Sequence, residues 1–177
     1  MVTADPTADN RNPKGPLSIR AAGTQDVPAI TRIFNHAIAH TTASFYAQPR
    51  SIEQRTHWLT QRDPRNAVWV AAYGTNVVGW VALDPWSEKE GYRITTEISY
   101  YIANDFQGQG IGSQLVAKSI EVAQQNEFQN ILAKICENNL ASIRIAERFG
   151  FQHSGTLKSI GRKFNQTFDV HFYQKQL

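Results

Sequence analysis

One cysteine and one methionine in 177 residues already narrow the field. A lone thiol, Cys136, cannot close an internal disulfide, so a stapled secreted module is excluded and a reducing compartment is expected. No apolar run approaches the length of about eighteen residues that a membrane helix needs, and no basic start leads into an apolar stretch. The expectation is a soluble, cytoplasmic chain without a membrane partner. Charge of one sign is missing too: 18 Lys and Arg stand against 15 Asp and Glu, a net +3 that is scattered along the chain. Without a basic stripe or tail, nucleic acid is not an expected partner. Metal ligands are sparse, since His36 and His40 lie one helical turn apart with no third donor near them, so no metal is expected.

What is present suits one α/β domain. Residues 1–16, rich in Asp, Asn, Pro and Thr without apolar periodicity, read as a disordered or tag-like tail, and residues 17–177 as the domain. Leu17 to Arg20 is expected to form a strand. Thr24 is expected to cap a helix whose apolar positions Val27, Ile30, Phe34 and Ile38 recur at helical spacing. Ser51 with Gln54 makes a capping box for a second helix, with Ile52, Trp58 and Leu59 as its apolar side. Ala67 to Tyr73, the turn Gly74 to Asn76, and Val77 to Leu83 read as a hairpin. A polar loop, Asp84 to Gly91, leads to a strand from Tyr92 to Ala103. Its alternation sets Glu97, Ser99 and Tyr101 on one face and Ile98, Tyr100 and Ile102 on the other. A helix from Gly110 to Asn126, a short strand from Asn130 to Cys136 parallel to the one before it, and a helix from Asn139 to Phe149 carrying Ala141, Ile145 and Phe149 follow. Two closing strands, about 151–160 and 168–175, complete the sheet.

The stretch from Gln107 to Gly112, reading Gln-Gly-Gln-Gly-Ile-Gly, joins a strand to an amphipathic helix. Main-chain amides gathered at a helix start with no side chains in the way form a site for a diphosphate. A Walker A loop would need a lysine and a Ser or Thr after its last glycine, and a Rossmann fingerprint a third glycine at 113 and a carboxylate about twenty residues on. The chain has Ser113 and Gln114, and Phe128 to Leu132 holds no acid, so neither nucleotide fold is indicated. The same glycines also fit a tight strand-to-helix turn with no ligand.

Gln107, Gly110 and Gly112 resemble the pyrophosphate loop of the GCN5-related N-acetyltransferases. The segment from Asn139 to Ser142, followed by Glu147 to Phe151, resembles that superfamily's second signature. Asn35-His36, Ser44-Phe45, Pro85-Trp86, Gly91-Tyr92, Thr96-Glu97, Gly155 to Leu157 and Asp169-Val170 are similar to its phosphinothricin acetyltransferase-like branch, over about residues 18–175. The resemblance implies a mixed, mostly antiparallel sheet with a central splayed parallel strand pair and helices on both faces. It implies acetyl-CoA as cosubstrate, a small-molecule primary amine as acceptor and a homodimer. By the same carry-over, Glu97 is the general base. The cofactor contacts are Tyr100, Tyr101, Ile102, Gln107, Gly108, Gln109, Gly110, Ile111, Gly112, Ser113, Asn139, Ser142 and Arg148, and the substrate contacts are Phe45, Lys89 and Tyr92.

Departures from the branch bear on substrate and mechanism. Ala146 stands four residues before the glycine of Gly150-Phe151, where relatives place a tyrosine or histidine able to protonate the leaving thiolate. Ala39, Lys89 and Thr167 replace an acid, an arginine and an aromatic, so phosphinothricin itself is not assumed. Alternatives are a protein N-terminal or lysine acetyltransferase, and a non-catalytic acyl-CoA-binding module.

Overall fold

A computed structural model describes residues 15–177, so the expected tail lies outside the described residues except for Gly15 and Pro16. The elements are β1 (Leu17–Ala21), α1 (Val27–His40), α2 (Ile52–Thr60), β2 (Val68–Tyr73), β3 (Asn76–Pro85), β4 (Thr95–Ile102), α3 (Ile111–Gln125), β5 (Asn130–Cys136), α4 (Leu140–Arg148), β6 (Gln152–Lys163) and β7 (Gln166–Gln176). One sheet runs in the order β1-β2-β3-β4-β5-β7-β6. All neighbours are antiparallel except β4 and β5, which are parallel, as expected for strands joined through a crossover helix.

Strand alternation gives the sheet two apolar faces, each covered by helix. Ile30, Ile33, Phe34 and Ile38 of α1 pack on Val68, Val70, Ala72, Trp80 and Ala82. Ile111, Leu115, Val116 and Val122 of α3 pack on Ala71, Val81, Leu83, Ile98 and Ile131 on the other side. Gly79 lets β3 close on β4: a Cβ there would stand 2.8 Å from Ile102 Cδ1 and 3.2 Å from the Tyr101 carbonyl oxygen.

Local rules predicted from sequence hold in places and yield in others. The capping box of α2 is complete, with the Gln54 N–H on Ser51 Oγ at 3.1 Å and the Ser51 N–H on Gln54 Oε1 at 3.0 Å. Its buried face differs from expectation, because Ile52 is 54% exposed while Arg55 is 7% exposed. Thr24 does not cap α1. It opens a single 3-10 turn, and the buried Asp26 carboxylate folds back to accept from Gly23 N–H at 2.8 Å and from both Arg20 Nη atoms at 2.7 Å. β4 starts at Thr95, since Glu90 to Tyr92 form another 3-10 turn. β3 continues through Pro85 and draws Asp84 out of the expected loop. On α4 the buried alanine is Ala146, and Ala141 is exposed.

Candidate active site

β4 and β5 are paired over only three positions, Thr95↔Asn130, Thr96↔Ile131 and Glu97↔Leu132. Beyond Glu97, β4 stays in register with β3 as far as Ile102, while β5 stays in register with β7 as far as Cys136. Each strand follows its antiparallel neighbour, and the two part. The gap opens a cavity of about 920 Å³, lined by Glu97 to Tyr101 from one strand and Ala133 to Cys136 from the other.

Beside the gap, the glycine loop delivers the chain into α3. Gly108 and Gly110 hold φ of +76° and +78°, the left-handed region, and a Cβ on either would meet nothing within 4 Å. Glycine is thus required there by backbone conformation, and the side facing outward is open. Gly112 is needed for another reason, because a Cβ would sit 3.2 Å from Ile145 Cδ1 and 3.5 Å from Tyr100 Cε2. The turn closes with Gln114 N–H on the Gly110 carbonyl at 3.2 Å, and no side chain caps the helix. The N–H groups of Ile111, Gly112 and Ser113 therefore have no intrahelical acceptor, and they stand at the positive end of a 15-residue helix. Such a cradle fits a diphosphate. Gln107 and Gln109 are exposed on the loop, and Gln109 Nε2 bonds the Asp105 carbonyl at 3.3 Å. Asn139 caps α4 by accepting from Ser142 N–H at 3.2 Å, and both residues line the cavity. Arg148 is exposed in the last turn of α4, away from the cavity wall.

At the end where the strands are still joined, two acids face each other. Asp84 and Glu97 are register partners on β3 and β4. Like charges directly opposite on a sheet repel, and here each has its own cation. Arg62 Nη1 lies 2.8 Å from Asp84 Oδ1, and Lys134 Nζ lies 2.9 Å from Glu97 Oε2. Lys134 reaches across the parting strands and also sits over the Trp86 ring, 5.6 Å from its centroid. Sequence reasoning singled out Glu97 but missed Asp84, read as loop, and Lys134, whose signal is a lone cation in the otherwise apolar run Ile131 to Cys136.

The remaining wall is aromatic, formed by Phe34, Trp58, Trp80 and Tyr101, with Arg55 among them. The segment Thr41 to Tyr46 closes one side. Lys163 pins it by donating to the Thr41 carbonyl at 2.6 Å and to that of Ser44, and Asn35 exchanges two hydrogen bonds with the Arg50 backbone. The Tyr101 hydroxyl donates to the Ala43 carbonyl at 3.3 Å, and burial pushes its pKa up. Burial also raises the Tyr100 phenol, partly offset by Ser142, yet its oxygen makes no hydrogen bond of good geometry. Ala146 and the buried Cys136 complete the floor. Of the three expected substrate contacts, Phe45 is on the wall. Lys89 and Tyr92 lie on the exposed turn before β4, outside it. Lys163 and Arg55 carried no sequence signal, because each acquires its role only through contacts between separate elements.

The family model described as acetyltransferase (GNAT) family matches residues 31–151. An L-methionine sulfoximine/L-methionine sulfone acetyltransferase of Pseudomonas paraeruginosa is 35% identical over 90% of this chain and 94% of its own length. A Salmonella typhimurium putative acetyltransferase, solved with its cofactor acetyl-CoA, superposes with a TM-score of 0.88 at 32% identity, covering 90% of this chain and 93% of that one. A ribosomal-protein-alanine N-acetyltransferase from Brucella melitensis superposes with a TM-score of 0.87 at 37% identity, covering 90% and 99%. The splayed sheet, the glycine loop and these matches agree, and no helix among the described residues is long and apolar enough to cross a membrane. The chain belongs to the acetyltransferase (GNAT) family, on its branch of phosphinothricin and methionine sulfoximine acetyltransferase-like proteins.

Proposed function

We propose that this enzyme acetylates the primary amine of a small molecule, an amino acid or an analogue of the phosphinothricin or methionine sulfoximine kind, using acetyl-CoA and direct attack. The observation that carries the reading is the parting of β4 and β5, which opens a cavity lined by Glu97 and Tyr100, with the uncapped start of α3 packed beside it where Gly112 meets Tyr100. Acetyl-CoA, when bound, supplies an acyl group activated as a thioester. The chain's part is to hold, aim and deprotonate. Amides from Gly108 to Ser113 form the cradle for the diphosphate, with Gln107 at its entrance. The backbone of Tyr100, Tyr101 and Ile102, beyond the last β5 partner, borders the gap and is free to bond an extended arm as another strand would. Asn139 and Ser142 line the same channel.

An aliphatic ammonium must lose a proton before its nitrogen can attack, and Glu97 is the base. Lys134 holds the carboxylate in place, and Arg62 neutralises Asp84 opposite. Ala146 has no proton to give, and a departing thiolate with a pKa of about 8.5 leaves as the anion near neutral pH. Binding two reactants side by side contributes more to the rate than the proton transfer.

A second reading, acetylation of a peptide N-terminus, is favoured by the name of the Brucella neighbour. The pinned segment Thr41 to Tyr46 walls the acceptor side and favours the smaller substrate. A homodimer and a cytoplasmic location belong to the same proposal. Leu157, Ile160 and Phe164, each at least half exposed on the β6–β7 hairpin, offer apolar surface to a second copy, and light scattering would report it. The unpaired Cys136 suits reducing conditions. Thiol release from acetyl-CoA tests the function. Turnover with free amino acids and L-methionine sulfone, and none with N-terminal peptides, is expected; preferential turnover of peptides overturns the reading.

A further inference from the structure

Arg55 of α2 is 7% exposed, and its Nε and Nη2 atoms are buried with no hydrogen-bond partner. Among the described residues no carboxylate forms an ion pair with it. The nearby acid, Asp84, is taken by Arg62 at 2.8 Å. Aromatic rings surround the guanidinium instead: it lies 3.5 Å from the Trp58 centroid, 4.8 Å from that of Phe34 and 5.0 Å from that of Trp80. Burial pushes its pKa down to about 10, with Asp84 pulling the other way, so it remains charged at neutral pH. Cation–π contacts are individually weak, whereas an ion buried without a counter-ion is strongly disfavoured. The rings position the guanidinium and leave its charge uncompensated.

The place of that charge matters. Arg55 lines the same cavity as Glu97, and it stacks on the face of the sheet that carries Trp80, Tyr101, Asp84 and Glu97. At one end of this cavity Asp84 and Glu97 are each paired with a cation, whereas the cation on its aromatic wall has no carboxylate partner, so Arg55 is the charge left to take up an anion.

We infer that Arg55 is the anion subsite of the acceptor cavity, receiving a carboxylate of the amine substrate while Glu97 faces the amine. This rests on the proposed acetylation of small amines and narrows it. Acceptors without a free carboxylate, including polyamines and peptide N-termini whose carboxyl is tied up as an amide, are poor substrates. A guanidinium serves this purpose better than an ammonium, because it keeps its charge in a buried, ring-lined place where an ammonium loses its proton more readily.

The test compares L-methionine sulfone with its primary carboxamide, on the wild type and on Arg55→Met. The expected result is a KM for the carboxamide at least 10-fold higher on the wild type, and a loss of at least 10-fold in kcat/KM on the variant for the acid alone. Equal KM values on the wild type, or a variant that loses both substrates equally, overturns the inference and leaves Arg55 as a structural clamp of the aromatic wall. Should Arg55→Met fail to fold, the wild type still decides. The carboxylate 4-(methylsulfonyl)butanoate, which lacks the amine, is expected to change tryptophan emission saturably without any coenzyme, and its carboxamide is not. A carboxylate-specific emission change in a protein that acetylates no small amine upholds the subsite and sinks the proposed function. Absence of the change, with small amines turned over, does the reverse.

Discussion

Replacing Glu97 by glutamine separates chemistry from structure, because the amide keeps the shape of the carboxylate and can still accept from Lys134. The ion pair it replaces is partly exposed, with side-chain exposures of 43% for Lys134 and 23% for Glu97. Such pairs contribute about 0–1 kcal/mol, so the unfolding midpoint is expected to move by only a few degrees. The rate is expected to move far more. An amine with a pKa of about 9.5 is neutral in roughly 0.3% of molecules at pH 7, so a base acting on the remainder is worth about 300-fold, within the usual 10²–10⁴ for this role. That factor corresponds to about 3.4 kcal/mol of barrier, several times what the lost ion pair could explain. The sign of the pH dependence follows. Bulk hydroxide takes over the proton as pH approaches the amine's own pKa, so the wild-type-to-variant ratio is expected to fall from about 300 at pH 7 towards unity near pH 9.5. Steady-state thiol release across that range measures it. Equal rates at pH 7, or a ratio that stays constant with pH, refutes Glu97 as the base.

Other expectations follow from local geometry. Gly110→Ala introduces a side chain at φ +78° into open space, so the strain, about 1–2 kcal/mol, is in the backbone alone. Thermal unfolding should show that loss, and calorimetry should show coenzyme binding weakened at least tenfold. Gly79→Ala drives a Cβ against the Tyr101 carbonyl and Leu115 as well as Ile102, and should lower stability by about 1–3 kcal/mol in a denaturant titration. The hydrogen bonds from Arg20, ahead of a smaller opposing effect of burial, hold the Asp26 pKa below its usual carboxylate value. A depressed folded pKa stabilises fully above the unfolded value and is lost as pH falls through the folded one. Asp26→Asn should therefore cost stability at pH 7 and flatten the acid limb below about pH 4.

Much of the fold was legible because it obeys local rules. The hairpin at Gly74, the Ser51 cap and the strand from Asn130 to Cys136 are written in neighbouring residues. The glycine loop was legible because two of its glycines satisfy a backbone demand that no other residue meets cheaply. What escaped depends on partners distant in sequence. Arg55 looks like a surface residue until α2 lies on Trp80, and then its charge is enclosed while Ile52 faces water. Asp84 reads as loop because its strand continues only by pairing with β4. Lys163 reaches its three carbonyl acceptors across more than a hundred residues. The point at which β4 and β5 separate has no pattern in either strand, since it is decided by the neighbours each one follows.

That separation has a mechanical consequence. Four strands on one side and three on the other are stitched across the middle of the sheet by three residue pairs, which leaves two unpaired edges inside the molecule. A sheet divided in this way is weakest along its seam, and whatever fills the seam acts as an added strand. Amide exchange in the free protein should be faster at the gap-facing amides of Tyr100 to Ile102 and Ala133 to Ile135 than at those bonded to β3 and β7, and should slow together when the coenzyme is added.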